Sequence, residues 1–172
     1  GEAFSFPNTS VSGYIFVGWF TTSDFQDGTM VLSSDTVTGE NTTINLYAKW
    51  AIKQVKITFM SAGNKYFEII QDYNTSITAP VNPTRTGYTF VGWFINLDSS
   101  NQYVFDKMPG DDLLLYGKWT PNTYTITFNS MGGSPVSSIT REYGTTGIAL
   151  SQPTKEGYIF KGWYDNELYN GS

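Results

Sequence analysis

Apolar and polar residues alternate along this chain in short runs, the two-residue period of strands that bury one side. Val55, Ile57 and Phe59 point one way and Lys56 and Thr58 the other; Tyr124, Ile126 and Phe128 repeat the arrangement against Thr125 and Thr127. A second strand is expected at Tyr66–Asp72, entering a turn at Asn74, and its counterpart at Ser138–Tyr143 turns at Gly144. Pro80, Pro83, Pro135 and Pro153 punctuate the middle of these units. One short helix fits between the second strand and the block that follows, and no long 3.6-residue period supports more. In the closing strand Leu115, Gly117 and Trp119 share a face, while Tyr116 and Lys118 share the other, which predicts one wet side.

The pattern is repetitive. Gly13-Tyr-Ile-Phe-Val-Gly-Trp19 returns as Gly87-Tyr-Thr-Phe-Val-Gly-Trp93 and Gly157-Tyr-Ile-Phe-Lys-Gly-Trp163, at spacings of 74 and 70 residues. Leu46-Tyr-Ala-Lys-Trp50 returns as Leu115-Tyr-Gly-Lys-Trp119, and Val55-Lys-Ile-Thr-Phe59 as Tyr124-Thr-Ile-Thr-Phe128. Three linked markers in one order define tandem units, and such repeats take precedence over single-residue propensities in reading a fold. Residues 51–119 form the complete unit. Residues 1–50 carry the block and the ending, a closing half; residues 120–172 carry the opening strand and the block, an opening half. At this size each unit can just close its own core. The expected class is α+β, dominated by sheet, as separate small repeats in series.

If the Gly-Tyr-x-Phe-x-Gly-Trp block is uniformly extended, Tyr88, Phe90, Gly92 and Phe94 make one face and Thr89, Val91 and Trp93 the other. Val17, Val91 and Lys161 then share the tryptophan face, and a lysine there predicts partial exposure. Trp19, Trp93 and Trp163 are accordingly expected to be half-exposed, and with Tyr116 and Lys161 they are candidate contacts for a partner or ligand. Packing between strands is the plainer role for the same aromatics.

Composition narrows function by exclusion. With no histidine and no cysteine the chain has no Ser–His or Cys–His nucleophile pair, no thiolate or imidazole zinc site, no Fe–S ligation and no disulfide. A net charge of −5 disfavours phosphate backbones and anionic membrane surfaces, so nucleic acid is not an expected partner. The longest apolar runs are too short to span a bilayer, and no membrane insertion is expected. Aromatics make up 17% of the chain, which with abundant Thr, Ser, Asn and Gly suits an extracellular β-rich protein.

The polar residues of interest read mostly as turns. Asp24, Asp27, Asp106, Asp111 and Asp112 stand in or beside Gly- or Pro-rich segments, and a glycosidase would require two acids facing each other across a cleft. Asp24-x-x-Asp27-Gly28 and the Asp98–Gln102 loop offer oxygen ligands without the spacing of a helix–loop–helix calcium site. Asn-x-Ser/Thr sites begin at Asn8, Asn41, Asn74 and Asn170 and are read as turns. Lys49 and Lys118 would have to be buried beside a carboxylic acid to form an isopeptide staple, and alternation places both outward. No cofactor, metal site or catalytic set is expected.

The Gly-Tyr-x-Phe-x-Gly-Trp block, the Leu-Tyr-x-Lys-Trp ending and their spacing of roughly 70 residues resemble the Listeria–Bacteroides repeat, the B-repeat type of internalin-like bacterial surface proteins. The resemblance implies β-grasp-like units, secretion and a place on the bacterial surface, and it brings no catalytic residues. The function expected is a non-enzymatic spacer that contributes to adhesion or protein interaction, its partner a host or bacterial surface protein or glycan. The alternative is a carbohydrate- or mucin-binding module using the Trp and Tyr faces. The chain departs from a simple array in its incomplete first and third units. Either the boundaries cut through domains, or the halves are completed head to tail by other chains.

Overall fold

The computed structural model describes residues 5–36 and 43–165. Nine strands follow in chain order: β1 (Tyr14–Phe20), β2 (Met30–Val31), β3 (Tyr47–Ile52), β4 (Gln54–Ser61), β5 (Asn64–Asp72), β6 (Tyr88–Phe94), β7 (Leu113–Pro121), β8 (Thr123–Ile126) and β9 (Ile139–Glu142). They form a three-stranded sheet ordered β2-β1-β3, a four-stranded sheet ordered β5-β4-β7-β6, and the two-stranded pair β8-β9. The chain divides into two compact units, residues 1–83 with 91–118, and residues 84–90 with 119–172.

The alternation in the opening segment produces a hairpin. β4 pairs antiparallel with β5, Ile57 opposite Ile69 and Phe59 opposite Phe67. The turn between them places Ala62 and Gly63 at positive φ of 49° and 86°, the left-handed pair that a two-residue hairpin needs to match strand twist. A register shift after Phe59 leaves Tyr66 unpaired. Its ring stacks on Trp93 with centroids 5.9 Å apart, and its hydroxyl donates to the Val81 carbonyl at 2.9 Å.

On its other edge β4 runs parallel to β7, with Ile57 beside Leu113 and Phe59 beside Leu115. This central pair holds the core: Val55, Ile57, Phe59 and Leu115 are fully enclosed, with Met108 at 1% and Trp93 at 2% exposure. Phe59 meets Trp93 edge-on at 4.9 Å. Aromatic pairs in such geometry contribute about 0.5–1.5 kcal/mol beyond the area they bury.

Two expectations are corrected. Among the described residues there is no helix. The segment after β5 is held extended instead: Asn74 N–H donates to Met108 O, Met108 N–H to Thr75 O, and Ile77 N–H to Asp106 O. Backbone groups satisfied by a neighbouring segment are not available to a helical turn, and Pro80 and Pro83 oppose one further on. The fold is therefore sheet-dominated, without an α component among the described residues.

The second correction concerns the block's faces. In β1 the register against β3 shifts between Phe16 and Gly18, so Val17 is a bulge residue. A bulge reverses the alternation beyond it. Phe16 lies opposite Trp50 and Trp19 opposite Ala48, which puts Phe16 and Trp19 on one face, their rings 5.5 Å apart. Gly18 faces the other side at φ 159°, and a Cβ there would fall 2.7 Å from Met30 Cε. Gly92 and Gly162 have the same backbone, φ 151° and 149°. Trp93 is thus core, not half-exposed.

Candidate functional site: a Gly-Tyr joint between repeats

All three Gly-Tyr steps begin with the same turn. The amide of Tyr14 donates to Val11 O, that of Tyr88 to Arg85 O and that of Tyr158 to Lys155 O, each at 3.1 Å. The intervening glycines stand at φ 79°, 77° and 77°, the left-handed value that a type II turn requires at its third residue. Lys155 lies over the Tyr158 ring at 4.7 Å and the Arg85 guanidinium over Tyr88 at 3.7 Å.

At the first two steps a connector from the following repeat locks onto the turn. Lys53 N–H donates to Gly13 O at 3.0 Å, and Tyr73 N–H donates to Lys53 O at 2.9 Å. Asn122 N–H donates to Gly87 O at 2.8 Å, and Tyr143 N–H donates to Asn122 O at 2.8 Å. The tyrosine closes the joint. A Cβ built on Gly13 would collide with the Tyr73 ring, and one on Gly87 with the Tyr143 ring. Tyr14 and Tyr73 meet edge-on at 5.6 Å and 70°, Tyr88 and Tyr143 at 5.6 Å and 76°. Beyond each tyrosine a left-handed residue, Asn74 at φ 64° or Gly144 at φ 82°, reverses the chain. Thr75 and Thr145 then bond back to Asp72 O and Glu142 O through both amide and hydroxyl.

The side-chain fastenings differ. At the first joint Lys53 Nζ reaches Asp111 Oδ1 at 2.5 Å and Gly110 O at 3.2 Å. At the second, the Thr89 hydroxyl donates to Asn122 Oδ1 at 2.7 Å. At the third step Gly157 is exposed with no described atom within 4 Å of where its Cβ would be, and Tyr158 is 71% exposed.

The joint residues were not among the candidates from sequence. Their signal is present there as Asp72-Tyr73-Asn74-Thr75 and Glu142-Tyr143-Gly144-Thr145, a fourth recurring marker after the second strand of each unit. Of the candidates that were named, Trp93 is enclosed, while Trp19 and Tyr116 are half-buried. Trp163 is half-buried beside Phe128 at 4.7 Å, its ring nitrogen donating to Ser151 O at 3.0 Å. Together with exposed Lys161, Tyr158, Met131 and Lys155 it lines a cavity of about 650 Å³.

The two lysines expected to point outward are half-buried. Lys49 lies over the rings of Phe20 and Phe25 at 5.2 and 5.4 Å. Lys118 lies over Phe94 at 4.3 Å and donates to Ser99 O. The loop after each block folds back over the closing strand and covers the stems, so cation–π contact replaces water on that face.

The acids are engaged in turns. Gln26 donates to Asp24 Oδ2 at 2.8 Å, and the Thr22 hydroxyl, the larger influence, with this amide holds the Asp24 carboxyl below the ordinary aspartate range. Asp112 accepts the Lys56 amide at 2.9 Å. Lys65 donates to Glu68 at 2.7 Å and lowers its carboxyl pKa, while burial raises that of Tyr103. Among the described residues no three acidic side chains converge on a point where a metal ion would sit.

Recurring small sheets and a Gly-Tyr step closed twice by the same backbone exchange define a tandem-repeat protein. The Listeria-Bacteroides repeat domain matches three times, over residues 2–49, 56–118 and 124–172, and the chain belongs to that family. A protein of Evansella cellulosilytica provisionally named a Gly-rich membrane protein is 36% identical over 158 residues, covering 91% of this chain and 18% of the relative. A second protein of that organism, provisionally named a membrane protein, is 38% identical over 163 residues, covering 91% and 23%. Internalin H of Listeria monocytogenes is 40% identical over 94 residues, covering 54% of this chain and 17% of its own. The chain thus spans less than a quarter of the length of these relatives.

Proposed function

We propose that the chain is a non-enzymatic spacer segment of a bacterial surface protein, holding neighbouring regions of its parent apart and offering its unit faces to protein partners. The observation that carries this reading is the duplicated joint, in which Gly13 and Gly87 receive the same connector and tyrosine. Fixing the geometry of successive repeats is what a spacer requires, and no ligand enters into it. Relatives named as membrane proteins and as an internalin support an extracellular position. The central parallel pair β4–β7, flanked by β5 and β6, supports a β-grasp-like reading of the complete unit 51–119, with 1–50 and 120–172 as closing and opening halves.

Small-angle X-ray scattering tests the spacer. The chain is expected to give a narrow distribution of interatomic distances, broadened in Tyr73→Ala and Tyr143→Ala while the sheet signal in circular dichroism persists. Identical profiles for all three would overturn it.

The cavity beside Trp163 favours a second reading, a carbohydrate- or mucin-binding module. A half-buried indole, an exposed tyrosine and two lysines around about 650 Å³ are the ingredients of sugar stacking and polar capture. Saturable binding on a glycan and mucin array, lost in Trp163→Ala and weakened in Lys161→Ala, is the expected result under this reading. A blank array from the folded chain would eliminate it.

A further inference from the structure

In the complete repeat the strand that opens the unit and the strand that closes it are neighbours. β4 and β7 run parallel, from Ile57 beside Leu113 to Met60 beside Tyr116. A side chain adds one more fastening at the start of this ladder. The Lys56 amide donates to Asp112 Oδ1 at 2.9 Å, and Lys56 Nζ stands 4.0 Å from Asp112 Oδ2. Each of these residues immediately precedes the first pair, Ile57 and Leu113. On the core face Ile57, Phe59 and Leu115 are fully enclosed, so water does not reach the ladder from that side. Chain order decides how tension acts on this contact. A pull along the backbone enters β4 at its first residue and leaves β7 at its last. Because the strands are parallel, those two points lie at opposite ends of the ladder, and the strands are drawn lengthwise past each other. The bonds of a parallel ladder are evenly spaced, so they share the load. The β4–β5 hairpin is the opposite case. Gln54 and Asp72 face each other at its open end, and drawing them apart opens the pairs one after another. In the sheet β5 is an edge strand beside β4, free to peel away without loading β7.

We propose that the complete repeat is a shear clamp, in which β4 and β7, fastened further by Asp112, keep the unit folded under tension along the chain. Resistance to force follows the unfolding barrier rather than equilibrium stability, and the barrier here is the simultaneous rupture of the β4–β7 contact. What the clamp serves rests on the spacer reading, since a segment that separates parts of a surface protein carries the pull between them. The clamp itself is a property of one repeat, and loose joints would leave it intact.

Single-molecule pulling on the 172-residue chain tests this. The chain has no native cysteine, so two introduced ones set the points where force is applied. Gln54, Asp72 and Thr120 are all exposed and suit attachment. Gln54→Cys with Thr120→Cys shears β4 against β7, whereas Gln54→Cys with Asp72→Cys peels the hairpin. At one pulling speed the first pair is expected to break in a single step at several-fold the force of the second. Asp112→Ala removes the acceptor of the Lys56 amide and is expected to lower the shearing force while leaving the peeling force unchanged. Equal forces in the two geometries, or a shearing force indifferent to Asp112→Ala, would overturn the proposal. Should Asp112→Ala fail to fold, the comparison of the two geometries decides alone.

Discussion

Three glycines with one backbone conformation and two different surroundings separate strain from packing. Gly87 and Gly157 both stand at φ 77°, yet only Gly87 lies under a tyrosine ring. Alanine at either site meets the left-handed penalty of about 1–2 kcal/mol. At Gly87 it also drives Tyr143 off the turn and forfeits an aromatic pair worth about 0.5–1.5 kcal/mol. Thermal unfolding should therefore find Gly87→Ala the more destabilised by that difference, with Gly157→Ala as the internal control. Equal losses would mean that the tyrosine cap carries no weight.

Among elements, the block strand shows how one residue redirects a sheet. Val17 is extra relative to β3, and the alternation reverses behind it, bringing Trp19 to the side of Phe16. Deleting Val17 leaves Phe16, Gly18, Trp19 and Phe20 opposite Trp50, Lys49, Ala48 and Tyr47, so the ladder becomes regular and every side chain keeps its observed face. Phe20, 6% exposed and covered by Lys49 and Phe25, stays buried, so the deletion should cost well below the about 3–5 kcal/mol of losing a buried aromatic. Denaturant unfolding of the deletion variant checks this, and a loss of about 3 kcal/mol or more would refute it. The strands themselves were legible in sequence because period-2 alternation is a local property: those expected at 55–59, 66–72 and 115–119 lie within observed strands, and the block at 88–94, read as extended only conditionally, is one. The bulge was not legible, since an unpaired residue is defined only by its neighbour strand.

Across the molecule, identical motifs have different fates. Gly-Tyr-x-Phe-x-Gly-Trp is a strand at 14–20 and 88–94, where a Leu-Tyr-x-Lys-Trp strand lies beside it, and is in no strand at 158–164. Backbone amides are protected where they are bonded and enclosed. Amide hydrogen exchange should accordingly be slowest in β4 and the Leu113–Tyr116 stretch of β7, and fast in residues 158–164. Comparable protection of all three blocks would contradict the architecture. The joint was legible only in part: its tyrosine stands in a recurring Tyr-x-Thr step, but that Gly87, Asn122 and Tyr143 meet is decided by backbone bonds between segments far apart in the chain.

By itself the sequence determined the number and order of repeats, the strands of the complete unit, and the absence of any chemistry needing histidine or cysteine, because composition, period and motif spacing are properties of the chain alone. Tertiary structure decided the rest. It showed that the proline-rich segment after β5 is held extended by residues 106–108 instead of coiling, and that Lys49 and Lys118 lie over aromatic rings. It buried Trp93 and left Trp163, its counterpart in the same motif, half-exposed. A motif states what a segment is able to pair with; burial, strand formation and joint closure depend on whether that partner arrives.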